Sequence, residues 1–150
     1  FRYNSFKMQI SQYITLEEAI KSQTAIRLGL SNMPGPKEIE AMRLVALNCY
    51  DPLRRWWKKP IGISSFYRCN KLNKAIGGSK TSQHVKGMAI DIDADILHNG
   101  LTNKMIYDWL KVNVDFDQLI WEYGDDMNPA WVHVSYRGRG NNRKQLLRIG

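Results

Sequence analysis

The chain has 150 residues, enough for one domain with one core, since folded domains commonly run about 100–150 residues. With 43% hydrophobic and 24% charged residues it has the composition of a globular protein, and no apolar run approaches the roughly 20 residues that cross a bilayer. The net charge of +8 asks for anionic surroundings, yet no ladder of paired Cys and His and no aromatic RNA-binding signature accompanies it. A nucleic-acid partner is therefore not expected, and the basic surface is left to solvent or to anionic cell-wall or envelope polymers. The basic residues are spread along the chain, with clusters at Arg54-Arg55…Lys58-Lys59 and Arg137…Arg148. Phe1–Lys7 is positively charged with no apolar stretch behind it, so no signal peptide is visible. Cys49 and Cys69 are too few for a disulfide framework and read as buried free thiols.

Thr15-Leu-Glu-Glu18 is a capping box, which predicts a helix over 16–28 that stops at Gly29 and buries Leu16, Ala19, Ile20 and Ile26. After a turn at Ser31–Gly35, Pro36 suits the first position of a second helix, with Ile39, Met42, Ala46 and Cys49 in one stripe. Asp51-Pro52 interrupts or kinks it before Leu53–Lys58 resumes. Past Pro60 the pattern changes. Ile61–Phe66 reads as a strand, Asn70–Ile76 as a short helix closed by Gly77-Gly78, and Ala89–Asp93 as a strand. Thr102 caps a helix over 103–113 with Met105, Ile106, Trp109 and Leu110 on its buried side. Phe116–Tyr123 and Trp131–Arg137 form an antiparallel pair across a turn-rich link at Gly124–Pro129, and Gln145–Ile149 adds an edge strand. Helices followed by mixed strands predict an α+β fold: one domain over 1–150, with a helical lead-in over 1–59 and a motif-bearing part over 60–150. Its small central antiparallel sheet is flanked by the N-terminal helices.

The chemistry lies in Ser82-Gln-His84-Val-Lys-Gly87-Met-Ala89-Ile-Asp91 and in Trp131-Val-His133-Val-Ser135. His84 falls on a loop, Asp91 on a strand, and His133 mid-strand, sharing a face with Trp131 and Ser135 while Val132 and Val134 point the other way. Two imidazoles and one carboxylate, with a fourth position left to water, form the pattern of a catalytic zinc site rather than a structural one. Together with Ser64-Ser-Phe-Tyr-Arg68, Leu72-Asn73 and Gly77-Gly78-Ser79 in the same order, these motifs resemble the zinc D-alanyl-D-alanine carboxypeptidases and phage-type endolysin peptidases. Those belong to the lysostaphin, D-Ala-D-Ala metallopeptidase and hedgehog fold group. The resemblance covers roughly residues 60–137, and Thr15–Lys59 looks like the helical lead-in of one subgroup.

The resemblance implies one zinc per chain on His84, Asp91 and His133, and hydrolysis of amide bonds in peptidoglycan stem peptides at the bacterial cell wall; a monomer is expected. It implies that Arg68 contacts the substrate and that Ser82 supports it. Read from the residues alone, Arg68 suits a developing oxyanion or a substrate carboxylate, with a surface salt bridge as the alternative, and Ser82 could equally be a turn-forming hydroxyl. Trp131, like the other tryptophans, reads as core by default and also as a candidate wall of the cleft. Several members of the family carry an acid three positions before the second histidine, and here that position is Ala130. Glu122, at the end of the strand expected to lie across from His133, is then the expected general base, with Asp125 and Asp126 read as turn residues. The missing acid also leaves open a zinc-containing binding module with little hydrolytic activity. His98 reads as a surface histidine, and Asp93 and Asp95, lacking the glycine and glutamate of a calcium loop, as solvated carboxylates.

Overall fold

In the computed structural model, which describes residues 8–150, helices come first and strands follow. Phe1–Lys7, counted by sequence in the helical lead-in, lies outside the described residues. The Thr15 hydroxyl accepts from Glu18 N–H while the Glu18 carboxylate takes Thr15 N–H, which starts helix α1 (Leu16–Ile20). The single helix expected over 16–28 is in fact two. Lys21 turns extended, and the Ser22 hydroxyl accepts Ala25 N–H to start helix α2 (Gln23–Leu28), which ends at Gly29 with φ +65°. A serine hydroxyl that satisfies an orphan N–H makes a new start as favourable as continuation. The break carries Ile26, expected in the core, out to 70% exposure.

Helix α3 (Pro36–Val45) opens on its proline and buries Met42 and Val45. It runs through a widened π-helical turn at Ala46–Tyr50 into helix α4 (Asp51–Trp57). Pro52 has no N–H to return to the preceding turn, so the kink expected at Asp51-Pro52 takes the form of this widened turn. The detour keeps Ala46, Cys49, Tyr50 and Leu53 buried. Cys49 is a buried free thiol as expected, whereas Cys69 is half-buried, its sulfur accepting Leu72 N–H at the start of helix α5 (Asn70–Ala75).

Five strands form one sheet: β1 (Ile63–Ser65), β2 (Ala89–Ile92), β3 (Gln118–Glu122), β4 (Trp131–Ser135) and β5 (Gln145–Ile149), in the order β1-β2-β4-β3-β5. β1, β2, β4 and β3 are antiparallel, the expected central sheet, and the edge strand β5 joins β3 in parallel. The crossing segment before β5 is anchored by Asp117. Its fully buried carboxylate accepts from Arg143 N–H at 2.9 Å, from Arg143 Nε and Nη2 at 3.0 and 2.7 Å, and from Gln83 Nε2 at 3.0 Å.

Strand alternation divides the sheet into two faces. Ile90, Ile92, Leu119, Val132 and Val134 enter a core shared with Met42, Leu53 and the last helix, α6 (Asn103–Asn113). α6 starts where the Thr102 hydroxyl accepts Met105 N–H, and it buries Asn103, Ile106 and Leu110. Met105, expected inside, is at the surface, and Trp109 is only half-buried. Asn103 explains the shift: its side chain accepts from Ala94 N–H and donates to Asp93 and to the Pro129 and Ala130 carbonyls, so the helix is rolled toward that end. Asp93, expected to be solvated, is thereby half-buried and fastened, while Asp95 and His98 are exposed.

Candidate metal centre

On the other face of the sheet Asp91 of β2 lies directly opposite His133 of β4. The register is held because Ile90, Ile92, Val132 and Val134 bury on the helix side; a one-residue slip would drive the charged groups into the core. Asp91 Oδ1 is 3.0 Å from His133 Nδ1. His84 arrives on the turn before β2, closed by Gly87 N–H to the His84 carbonyl and Met88 N–H to the Gln83 carbonyl. Gly87 has φ +73°, and a Cβ there would meet the Glu38 carbonyl of α3 at 2.5 Å, so only glycine lets this turn sit against the helix.

The tautomer of His84 follows from its partner. Its Nδ1 is 2.7 Å from the Phe66 carbonyl, which can only accept, so Nδ1 carries a proton and Nε2 is the ring atom turned toward the cleft, 3.2 Å from Asp91 Oδ1. One ligand atom from each of His84, Asp91 and His133 lies within 4.8 Å of the others, all three residues are buried, and the two rings meet edge to face at 5.1 Å. Burial works against the Asp91 charge, but the imidazoles of His84 and His133 outweigh it and hold the carboxyl well below the usual carboxylate range. Two imidazole nitrogens and one carboxylate oxygen, with one imidazole oriented from behind by a carbonyl, can hold a divalent metal and suit zinc.

The group forms the floor of a cleft of about 710 Å³ whose walls include Arg68, Ser82, Gln118, Glu122 and Trp131. Arg68 is half-buried, has no carboxylate within 4.0 Å among the described residues, and leaves its Nε buried without a hydrogen-bond partner. The salt-bridge alternative for Arg68 therefore lacks a partner. The Trp131 indole N–H is likewise buried and unpaired. Two unsatisfied donors on one cleft wall are costly unless a bound acceptor meets them.

Glu122 departs from the expected register. Ile120 occupies the position opposite His133, and Glu122 pairs with Trp131. It still shares the face and reaches diagonally, with Oε2 3.7 Å from His133 Nδ1. Burial first, then the charge of Asp91, raises its pKa against the opposing pull of His133; the nearby Trp131 indole also pulls down, although its N–H closes no hydrogen bond. Ser82 combines both of its readings, since its hydroxyl accepts His84 N–H at 3.2 Å within the turn and also lines the cleft. Asp125 accepts Met127 and Asn128 N–H in its turn, and Asp126 pairs with Arg148, so both stay at the surface.

Sequence reasoning missed two supports of this site. The Phe66 carbonyl is a backbone atom, and no residue type announces it. Asp117 holds the His84 turn through Gln83, and the partner that neutralises it, Arg143, comes only after two more strands. No curated protein matches the chain. Residues 12–135 match the family described as Peptidase M15, a span that contains every residue of the cleft floor together with Arg68 and Glu122. With that match over most of its length, the chain belongs to the M15 peptidases, a family of zinc-dependent peptidases that act on peptidoglycan.

Proposed function

We propose that this chain hydrolyses amide bonds within peptidoglycan stem peptides, using zinc on His84, Asp91 and His133. The observation that carries the reading is the convergence of three buried ligand atoms on the floor of a cleft that also holds one carboxyl, Glu122, and two unpaired donors, Arg68 and Trp131. Zinc held by His84, Asp91 and His133 would supply Lewis acidity, toward a carbonyl oxygen and toward water whose pKa it would lower to about 7. Arg68 and Trp131 offer N–H groups to the substrate oxygen on which negative charge develops. Glu122, whose proton affinity is raised, takes the proton of the attacking water as the C–O bond forms, and delivers it to the nitrogen as the C–N bond breaks. The binding-only alternative rested on the alanine at position 130, and it is weakened by a carboxyl 3.7 Å from His133.

Cleavage inside a peptide, rather than removal of one terminal residue, is favoured by a second cavity. A space of about 450 Å³, bordered by Lys21, Ser22, Thr24 and Ser64, abuts the same Arg68, Ile76, Asp91 and Trp131 that border the main cleft. Room on both sides of the proposed metal ligands would be wasted on a one-residue leaving group. The test is mass spectrometry of products from defined muropeptides, with free and with amidated C-termini, alongside metal analysis of the parent and His133→Ala. Internal cleavage of both substrates is expected, with metal affinity of the variant reduced by about 100-fold or more. Release of a single residue from free termini only would make the chain a carboxypeptidase. Full metal loading of His133→Ala would overturn the ligand set.

A further inference from the structure

The run Arg54-Arg55-Trp56-Trp57-Lys58-Lys59 plays no part in the cleft. It lies at the end of α4, where α4 meets α6. Tryptophan is usually core, but Trp56 is 41% exposed and stacks on half-buried Trp109 of α6, with ring centroids 5.4 Å apart and planes at 25°. Trp57 packs beside it at 5.9 Å, its indole N–H held by Asn99, and Lys59 Nζ stands 5.4 Å over its ring. Trp109 also continues an apolar stripe on α6. Met105 and Val112 lie four residues before and three after it, on the same side of the helix, and are 37% and 79% exposed.

The surroundings of this patch are basic. Arg55, Lys58, Lys59 and Lys111 have no carboxylate within 4.0 Å among the described residues. Asp108, the one carboxylate on α6, is neutralised by Lys104 at 2.5 Å. Exposed indole, valine and methionine with unpaired cations nearby is the composition of a surface that lies in a membrane interface. Aromatic rings sit at headgroup depth, aliphatic side chains enter the acyl boundary, and cations meet anionic headgroups. A soluble polyanion would satisfy the cations and offer nothing to Val112 and Met105.

We infer that the α4–α6 face docks on an anionic phospholipid surface. The fold gives this docking a direction. Tyr107 of α6 packs on Trp121, which points from β3 toward the helices, whereas Glu122 beside it points into the cleft. The patch and the cleft therefore lie on opposite sides of the sheet. A chain resting on a membrane through Trp56 and Val112 would hold its cleft away from the lipid, open to polymer above. Docking does not depend on hydrolysis and stands apart from the peptidase reading.

The test is co-sedimentation of the full chain with vesicles of phosphatidylglycerol and phosphatidylcholine, compared with vesicles of phosphatidylcholine alone. Binding at least about 10-fold tighter to the anionic vesicles is expected, weakened by salt. Lys58→Glu/Lys59→Glu should abolish the preference. Val112→Asp alters a side chain with almost no packing, so circular dichroism should show it folded, and it should lose binding by a similar factor. Equal affinity for both vesicles, or Val112→Asp binding like the parent, overturns the inference. Retention by a soluble polyphosphate but not by anionic vesicles would also overturn it, because the cations alone would then account for the surface.

Discussion

At the scale of single residues, the proposed division of labour separates holding metal from moving a proton. Glu122→Gln keeps the size of the side chain but removes its basicity, so metal content should be unchanged while hydrolysis of a muropeptide falls by about 100-fold or more. Both are measured on one sample; loss of metal instead would make Glu122 a ligand or a support. Arg68→Ala should also leave metal content intact and cut turnover by about 10-fold or more, in line with the loss of a donor to a developing oxyanion. Unchanged kinetics would return Arg68 to a structural role, for which the described residues offer no carboxylate within 4.0 Å. The types and spacing of His84, Asp91 and His133 were legible in the sequence because they sit on a turn and two strands whose alternation is strict. The diagonal reach of Glu122 was not, because a two-residue offset depends on how the link at Gly124–Pro129 closes. Gly124, at φ +71°, presses so near the Asn128 carbonyl that a Cβ would fall 2.2 Å from it.

At the scale of elements, Asp117 ties the crossing segment before β5 to the turn that carries His84. Burial raises its carboxyl and the Arg143 and Gln83 donors more than offset this, leaving its pKa at about 2. The folded pKa is thus depressed below the unfolded value of about 3.9. The stabilisation is present above pH of about 4 and is lost as pH falls toward 2, and a shift of this size corresponds to about 2–3 kcal/mol. Asp117→Asn should therefore lower the free energy of urea unfolding at pH 7 by that order and lose most of its difference from the parent near pH 2. A constant difference across that window would mean that packing, not charge, is at work. The same anchoring logic accounts for the elements the sequence misplaced. Ser22 split one expected helix through a local hydroxyl contact, and Asn103 rolled α6 so that Met105 faces out and Asp93 in.

At the scale of the whole molecule, segments far apart in the chain assemble the proposed metal group of His84, Asp91 and His133, so metal and fold should be thermodynamically linked. Free zinc at about 1,000 times its Kd should add about 4 kcal/mol, or roughly 8–16 °C in Tm for a domain of this size. Thermal melts with zinc and with a chelator measure it, and coincident melts would mean that the native chain does not bind zinc tightly. The sheet and the helices share one core, with Met42 and Leu53 of the lead-in against Val132 and Val134 of the strand that carries His133. A substitution such as Leu53→Ala is therefore expected to loosen both together.

By itself the sequence determined the α+β order, the caps at Thr15, Pro36 and Thr102, and the two histidines and aspartate of the floor. Each of these is written in local periodicity or in a short motif. Only the tertiary structure decided that β5 runs parallel, that His84 turns Nε2 to the cleft because its Nδ1–H donates to the Phe66 carbonyl, and that Trp56 and Val112 stand outside on a basic face. Those outcomes depend on partners tens of residues distant, and strand order, tautomer and exposure are properties of contacts that no single stretch of chain contains.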